Sequence, residues 1–184
     1  NVSGVTVTDG NAGGNYLVSY AANTASTINP LSVTLTAPVL SKTYDGTRAY
    51  TTQTADLASL GSALVAGDSV AAATLVYANK NAGTANKVVD LTSVTVNDGN
   101  AGNNYAITLV GNSSSTITPA AVTLAAPVVS KTYDGGTAYT TTAANLATLS
   151  GALVGGDAVS AATLQYADKN NGSGNKTVSL NGVT

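Results

Sequence analysis

An all-β protein built from small domains in tandem is the class the sequence predicts, and three observations carry it. The first is composition. Strand-favouring Thr and Val are abundant, turn-favouring Gly and Asn fill much of the rest, and the apolar content comes mostly from Ala, Val and Leu. The second is alternation of apolar and polar residues, as in Ser32 to Ala37 (SVTLTA), where Val33 and Leu35 alternate with Thr at the period of a half-buried strand. The third is self-similarity: Asp9 aligns with Asp98, Tyr16 with Tyr105, Pro30 with Pro119, Lys42 with Lys131 and Gly67-Asp68 with Gly156-Asp157, each pair 89 positions apart and with no insertion or deletion. That period is too long for one coil of a solenoid and suits a small autonomous domain.

The phase of the repeat sets the expected boundaries. The stretches INP (Ile28 to Pro30) and ITP (Ile117 to Pro119) mark junctions, because Pro rarely sits inside a central strand and stiffens a connection. Residues 1–29 then read as the C-terminal part of a preceding repeat, 30–118 as a complete repeat and 119–184 as the N-terminal part of a following one. The sequence is expected to start and stop in mid-domain.

Within the complete repeat the elements follow in order. The SVTLTA strand leads to SKTYDG (Ser41 to Gly46), which returns at Ser130 to Gly135. Asp45-Gly46 is a tight-turn dipeptide, since Gly takes positive φ freely and Asp tolerates the neighbouring position. Tyr44 ahead of it can bury its ring while its hydroxyl reaches a backbone group or water. The motif therefore reads as a strand ending in a pinned turn. The next segment, Ala55 to Asp68 (ADLASLGSALVAGD), has Leu spacing that suits a short helix or an irregular crossover, the crossover being favoured. Strands are expected over Ala73 to Ala78, Lys87 to Leu91, Val94 to Asn97, Asn104 to Val110 and Ser115 to Thr118. Apolar parity switches between Leu91 and Val94, which implies a bulge or corner near Thr92-Ser93. Six or seven strands per unit point to a β-sandwich, with a β-grasp-like domain carrying one short helix as the alternative.

Composition also bounds chemistry. A formal net charge of −2, with no cluster of Lys and Arg, argues against nucleic acid as a partner. With no His, Cys or Glu, the chain lacks the imidazole base, the thiol nucleophile and the common zinc ligands, so an enzyme is not expected. Lys42, Tyr44 and Asp45 have no nucleophile or second carboxylate nearby in sequence to work with. No catalytic or ligand-binding residue is assigned, and no metal site or cofactor is expected. No apolar run approaches the length of a bilayer span, so no membrane insertion is expected in this segment. Few charges with abundant Thr, Asn and Gly favour an exported, extracellular protein.

Three further patterns have a plain reading beside a functional one. DGNAGNNY (Asp98 to Tyr105), echoed at Asp9 to Tyr16, spaces Asp98, Asn100 and Asn104 like an oxygen-rich calcium loop, but it has one carboxylate and no bidentate Glu; an Asx-rich hairpin turn is favoured. Lys and Asn are adjacent at Lys80-Asn81, Asn86-Lys87, Lys169-Asn170 and Asn175-Lys176, the residue types of a Lys–Asn isopeptide bond, which also needs a buried acid; turn polarity and strand-edge protection are the simpler account. Thr alternation in VTVT and VTLT reads as ordinary exposed strand faces rather than a flat Thr ladder.

KTYDG, the later Gly67-Asp68, YANKNAGTANKVV (Tyr77 to Val89), NDGNAGNNYAIT (Asn97 to Thr108) and TITP (Thr116 to Pro119) together resemble the YDG domain, a family close to the glycine-rich MBG domains. The chain departs from the family's DAGNY-like stretch by one inserted residue, reading GNAGNNY and GNAGGNY. The resemblance covers essentially the whole chain. It implies repeats of large bacterial surface adhesins of the filamentous-haemagglutinin type, acting as a stalk or spacer at the cell surface and touching neighbouring repeats of the same chain. The alternatives are a filament subunit completed head-to-tail by strand complementation, and a glycan- or calcium-dependent adhesive module.

Overall fold

The computed structural model describes residues 2–184, which are mostly β with two short helices. In the first repeat, β1 (Leu31–Thr36) and β2 (Ser41–Thr43) form one extended arm, broken at Pro38. The helix α1 (Thr54–Gly61) follows, then the hairpin of β3 (Ser69–Tyr77) and the long β4 (Gly83–Asn97), and finally a second arm made of β5 (Tyr105–Val110) and β6 (Asn112–Thr118). The two arms run parallel. β1 pairs with β5 from Leu31↔Tyr105 to Thr36↔Val110, and β2 pairs with β6 from Ser41↔Thr116 to Thr43↔Thr118. β6 also pairs antiparallel with β4, giving the sheet order β2-β6-β4-β3 beside the two-stranded β1-β5 pair.

Alternation positions the core. Leu35 on β1, Val70, Leu75 and Tyr77 on β3, Val89 and Leu91 on β4 and Ile117 on β6 are buried together with Leu60 of α1. Tyr77 is fully buried, meets Tyr50 edge to face at 6.4 Å, and donates its hydroxyl to the Thr116 carbonyl. The expected irregularity at Thr92-Ser93 is present: Thr74 pairs with Ser93 and Leu75 with Leu91, so Thr92 is the extra residue of a bulge. It lets one long strand keep apolar side chains inward on both sides of the parity switch.

Two expectations are corrected in part. The segment after YDG opens with a helix rather than an irregular crossover, because Asp56 at the third helical position turns back to accept the Gln53 backbone N–H at 2.8 Å. The same helix recurs as α2 (Ala143–Ser150), where Thr142 and Asn145 cap each other reciprocally. The repeat is thus mostly rather than wholly β, and its sheets curl around one core.

In the second repeat, β7 (Ala138–Tyr139), β8 (Thr163–Tyr166) and β9 (Val178–Asn181) form a small antiparallel sheet. The core there holds Leu149, Val159, Leu164 and Tyr166, and the Tyr139–Tyr166 pair repeats the 6.4 Å edge-to-face geometry. Residues 120–132, aligned with the first arm, are in no strand. Among the described residues no helix is long and apolar enough to cross a membrane.

Candidate functional site

The YDG segments are closed from below by their lysines. As β2 ends, the Lys42 ammonium reaches under the turn, donating to Asp45 Oδ1 at 2.8 Å and to the carbonyls of Thr47 at 3.0 Å and Ala49 at 2.8 Å. Asp45 Oδ1 also accepts the Thr47 backbone N–H at 2.9 Å, and Gly46 takes φ +77°. The second copy repeats this closely: Lys131 donates to Asp134 at 2.7 Å and to the Gly136 and Ala138 carbonyls at 2.9 Å, and Gly135 has φ +79°. The Lys42 hydrogen bond, followed by the Thr47 N–H, takes the Asp45 pKa down to about 2. All three ammonium protons are directed at the chain's own turn, which makes the motif a strand end closed by a cation. The sequence reading found the turn but not the role of the lysine; a Lys three residues before each Asp was the available signal.

The lysine-closed Tyr-Asp-Gly turn thus occurs twice in this chain, and the YDG domain model matches residues 28–116 and again 118–184. The chain belongs to the YDG domain family. No curated protein and no solved structure matches it.

Within this YDG repeat pair the aromatic member of the motif is used differently in each copy. The Tyr44 ring packs against the first core, and its hydroxyl donates to Asp157 Oδ2 at 2.6 Å, a carboxylate of the second repeat rather than the backbone group or water expected. Lys80 donates to the other oxygen of Asp157 at 3.2 Å and lies over the Tyr44 ring. The Tyr44 and Lys80 hydrogen bonds, in that order, lower the Asp157 pKa, and Asp157 in turn raises that of Lys80. Tyr133, the second copy's counterpart, is 64% exposed. In the first repeat the equivalent acid, Asp68, instead accepts from the hydroxyl of Tyr105 in its own repeat, which raises the Tyr105 pKa.

The Asp98 loop is a self-contained turn. Asp98 Oδ1 accepts the N–H groups of Asn100 at 2.9 Å and Gly102 at 2.8 Å, Oδ2 accepts that of Asn104 at 3.1 Å, and Asn100 donates its side-chain amide to Asn104. These N–H donors, with Gly102 the largest influence, hold the Asp98 carboxyl below its usual range. Asp9 makes the same bonds to Asn11, Gly13 and Asn15. Both carboxylates are thus directed at their own backbone, and among the described residues no group of three or more His, Cys, Asp or Glu side chains is placed to hold a metal ion.

The Lys–Asn neighbours separate by role. Lys87 is buried and donates to Asn79 Oδ1 at 2.5 Å; its counterpart Lys176 donates to Asp168 at 2.7 Å. Among the described residues no further carboxyl is hydrogen-bonded to either pair, and each bridges the turn between the hairpin strands. The partners are the residues immediately before Lys80-Asn81 and Lys169-Asn170, namely Asn79 and Asp168, rather than the adjacent asparagines singled out in the sequence.

Proposed function

We propose that the chain is a stretch of non-catalytic stalk or spacer repeats from a bacterial extracellular surface protein of adhesin type. The observation that carries this reading is where the recurring polar residues point. Lys42, Asp45, Asp98, Asn104 and Lys87, and their 89-residue counterparts where present, are engaged in closing turns of their own repeat, while Asp157 joins one repeat to the other. A chain that uses its repeated motifs in this way is suited to holding distance. Each repeat, a sandwich-like unit of curled sheets around one core, adds a fixed increment of length, and neighbouring repeats are its partners. The test is electron microscopy of arrays of increasing repeat number, together with a glycan array. A constant rise of roughly 35–45 Å per repeat, from the dimensions of a compact domain of this size, and no saturable glycan binding support the spacer. Saturable binding lost on substitution of exposed Tyr or Asn residues would replace it with an adhesive module.

A second reading, head-to-tail copies completed by strand exchange, is favoured by one comparison. Ile28 is 98% exposed, whereas its counterpart Ile117 on β6 is fully buried, and a cleft of about 520 Å³ runs between residues 126–133 and 168–178, where β6 lies in the first repeat. Concentration-dependent growth in analytical ultracentrifugation, abolished by Ile28→Asp, is the outcome this reading requires.

A further inference from the structure

The Gly155-Gly156-Asp157 turn differs from its first-repeat counterpart, Ala66-Gly67-Asp68, at a single position, and that position lies against the other repeat. Both turns close with the same bond, Asp68 N–H to the Val65 carbonyl and Asp157 N–H to the Val154 carbonyl. Their backbones are not the same. In the first repeat only Gly67 takes positive φ, +102°, whereas in the second both central residues do, Gly155 at +65° and Gly156 at +76°. Positive φ at both central positions is the signature of a type I′ turn, and at the second alone that of type II. An Ala at position 155 would therefore resist the observed backbone.

The rotated turn brings the backbone of Gly155 onto that of Gly46, the glycine of the first repeat's YDG turn. A methyl group on either residue would overlap the other's Cα. This glycine-on-glycine crossing sits beside the Tyr44–Asp157 and Lys80–Asp157 bonds. Next to it a hollow lined by Pro119, Val122, Leu153 and Val154 stays open, so the repeats are not joined there by continuous packing.

We propose that these groups form a latch that fixes the angle between consecutive repeats, in which the Tyr-Asp-Gly turn of one repeat, with its Lys80, is received by a Gly-Gly-Asp turn of the next, and that Gly155 is the residue deciding whether a repeat can receive it. A repeat carrying Ala at that place, as the first does at Ala66, cannot take its neighbour's YDG turn in this geometry. The same motif thus has two uses: Lys42 and Asp45 close the turn, while Tyr44 and Gly46 present it to the following repeat. This bears on the spacer reading but does not depend on it, since the angle between repeats can be measured whatever the array is for.

The chain has no cysteine, so Ala58→Cys and Ala147→Cys, at exposed equivalent positions on α1 and α2, place spin labels at two sites only. Double electron–electron resonance on the otherwise unchanged chain should give one narrow distance distribution. Gly155→Ala and Gly46→Ala should broaden it at least twofold, and Tyr44→Phe, which removes one oxygen, should broaden it measurably. Gly135→Ala is the matched control: it imposes the same positive-φ strain in the second YDG turn, where nothing lies within 4 Å of the added methyl, and should leave the width unchanged. Circular dichroism confirms that each variant is folded, and if Gly155→Ala unfolds its repeat, Tyr44→Phe and Asp157→Asn decide the matter. Parental width in both Gly155→Ala and Tyr44→Phe, in Tyr44→Phe and Asp157→Asn where Gly155→Ala unfolds, or equal broadening in Gly135→Ala, overturns the latch. The spacer reading would be left to its own length measurement.

Discussion

Asp45 shows how much a turn can depend on one ion pair. Its pKa is lowered in the folded chain to about 2, so the stability it lends is fully present above the ordinary aspartate value of about 4 and is lost as the pH falls through about 2. Urea midpoints measured downward from pH 5 should decline across that window, and Asp45→Asn should remove part of the decline. Asp45→Ala at neutral pH should cost about 1 kcal/mol, as expected for a partly exposed charge-assisted bond; an unchanged midpoint would mean the lysine closure contributes nothing. At this scale much was legible. Gly after Asp announced the turn because few other residues accept φ near +77°. The partner of Tyr44 was not legible, because Asp157 lies 113 positions away and no local pattern points to it.

At the level of elements, the two Asp-Gly-Asn loops differ at one residue, Gly14 against Asn103, and in what surrounds them. The Asp98 loop joins β4 to β5, strands that carry the core, whereas residues 2–29 are almost wholly exposed and belong to no strand. Asp98→Ala, which removes the acceptor of three N–H groups, should lower the melting temperature of the main transition. Asp9→Ala should leave the main transition where it is. Calcium should shift neither, because the oxygens it needs already accept N–H donors; a chelator-reversible rise in melting temperature would contradict this. At α1, burial and the Asp56 hydrogen bond push the Tyr50 hydroxyl up to about 12. The stability tied to keeping it neutral is present below pH 10 and is lost as the pH rises through about 12, and Tyr50→Phe should flatten that alkaline loss. The bulge at Thr92 was readable, since a parity switch inside a strand has few other causes. The helix was not: its eight residues give too little periodicity to separate it from a loop, and its first-repeat cap, Gln53, is not a usual capping residue.

For the molecule as a whole, the pairing of first arm with last was hidden from sequence, because alternation says which face of a strand is buried and nothing about which strand lies beside it. Yet that pairing decides how a repeat answers tension. The chain enters at Leu31 and leaves at Thr118, at opposite ends of a parallel ladder of six residue pairs between β1 and β5 and three between β2 and β6. A pull on the two junctions slides one arm along the other, so the ladder's hydrogen bonds are loaded together and must fail together. Attached instead at Leu31 and Tyr105, which sit side by side, the same pull would open the β1–β5 ladder one pair at a time. Optical-trap measurements on the two attachments should therefore give a high rupture force for the first and a markedly lower one for the second, with equal forces ruling out the shear arrangement. A protein in which only 9% of the residues are charged and 5% aromatic would then owe its resistance to being stretched less to the strength of its contacts than to the direction in which they are loaded.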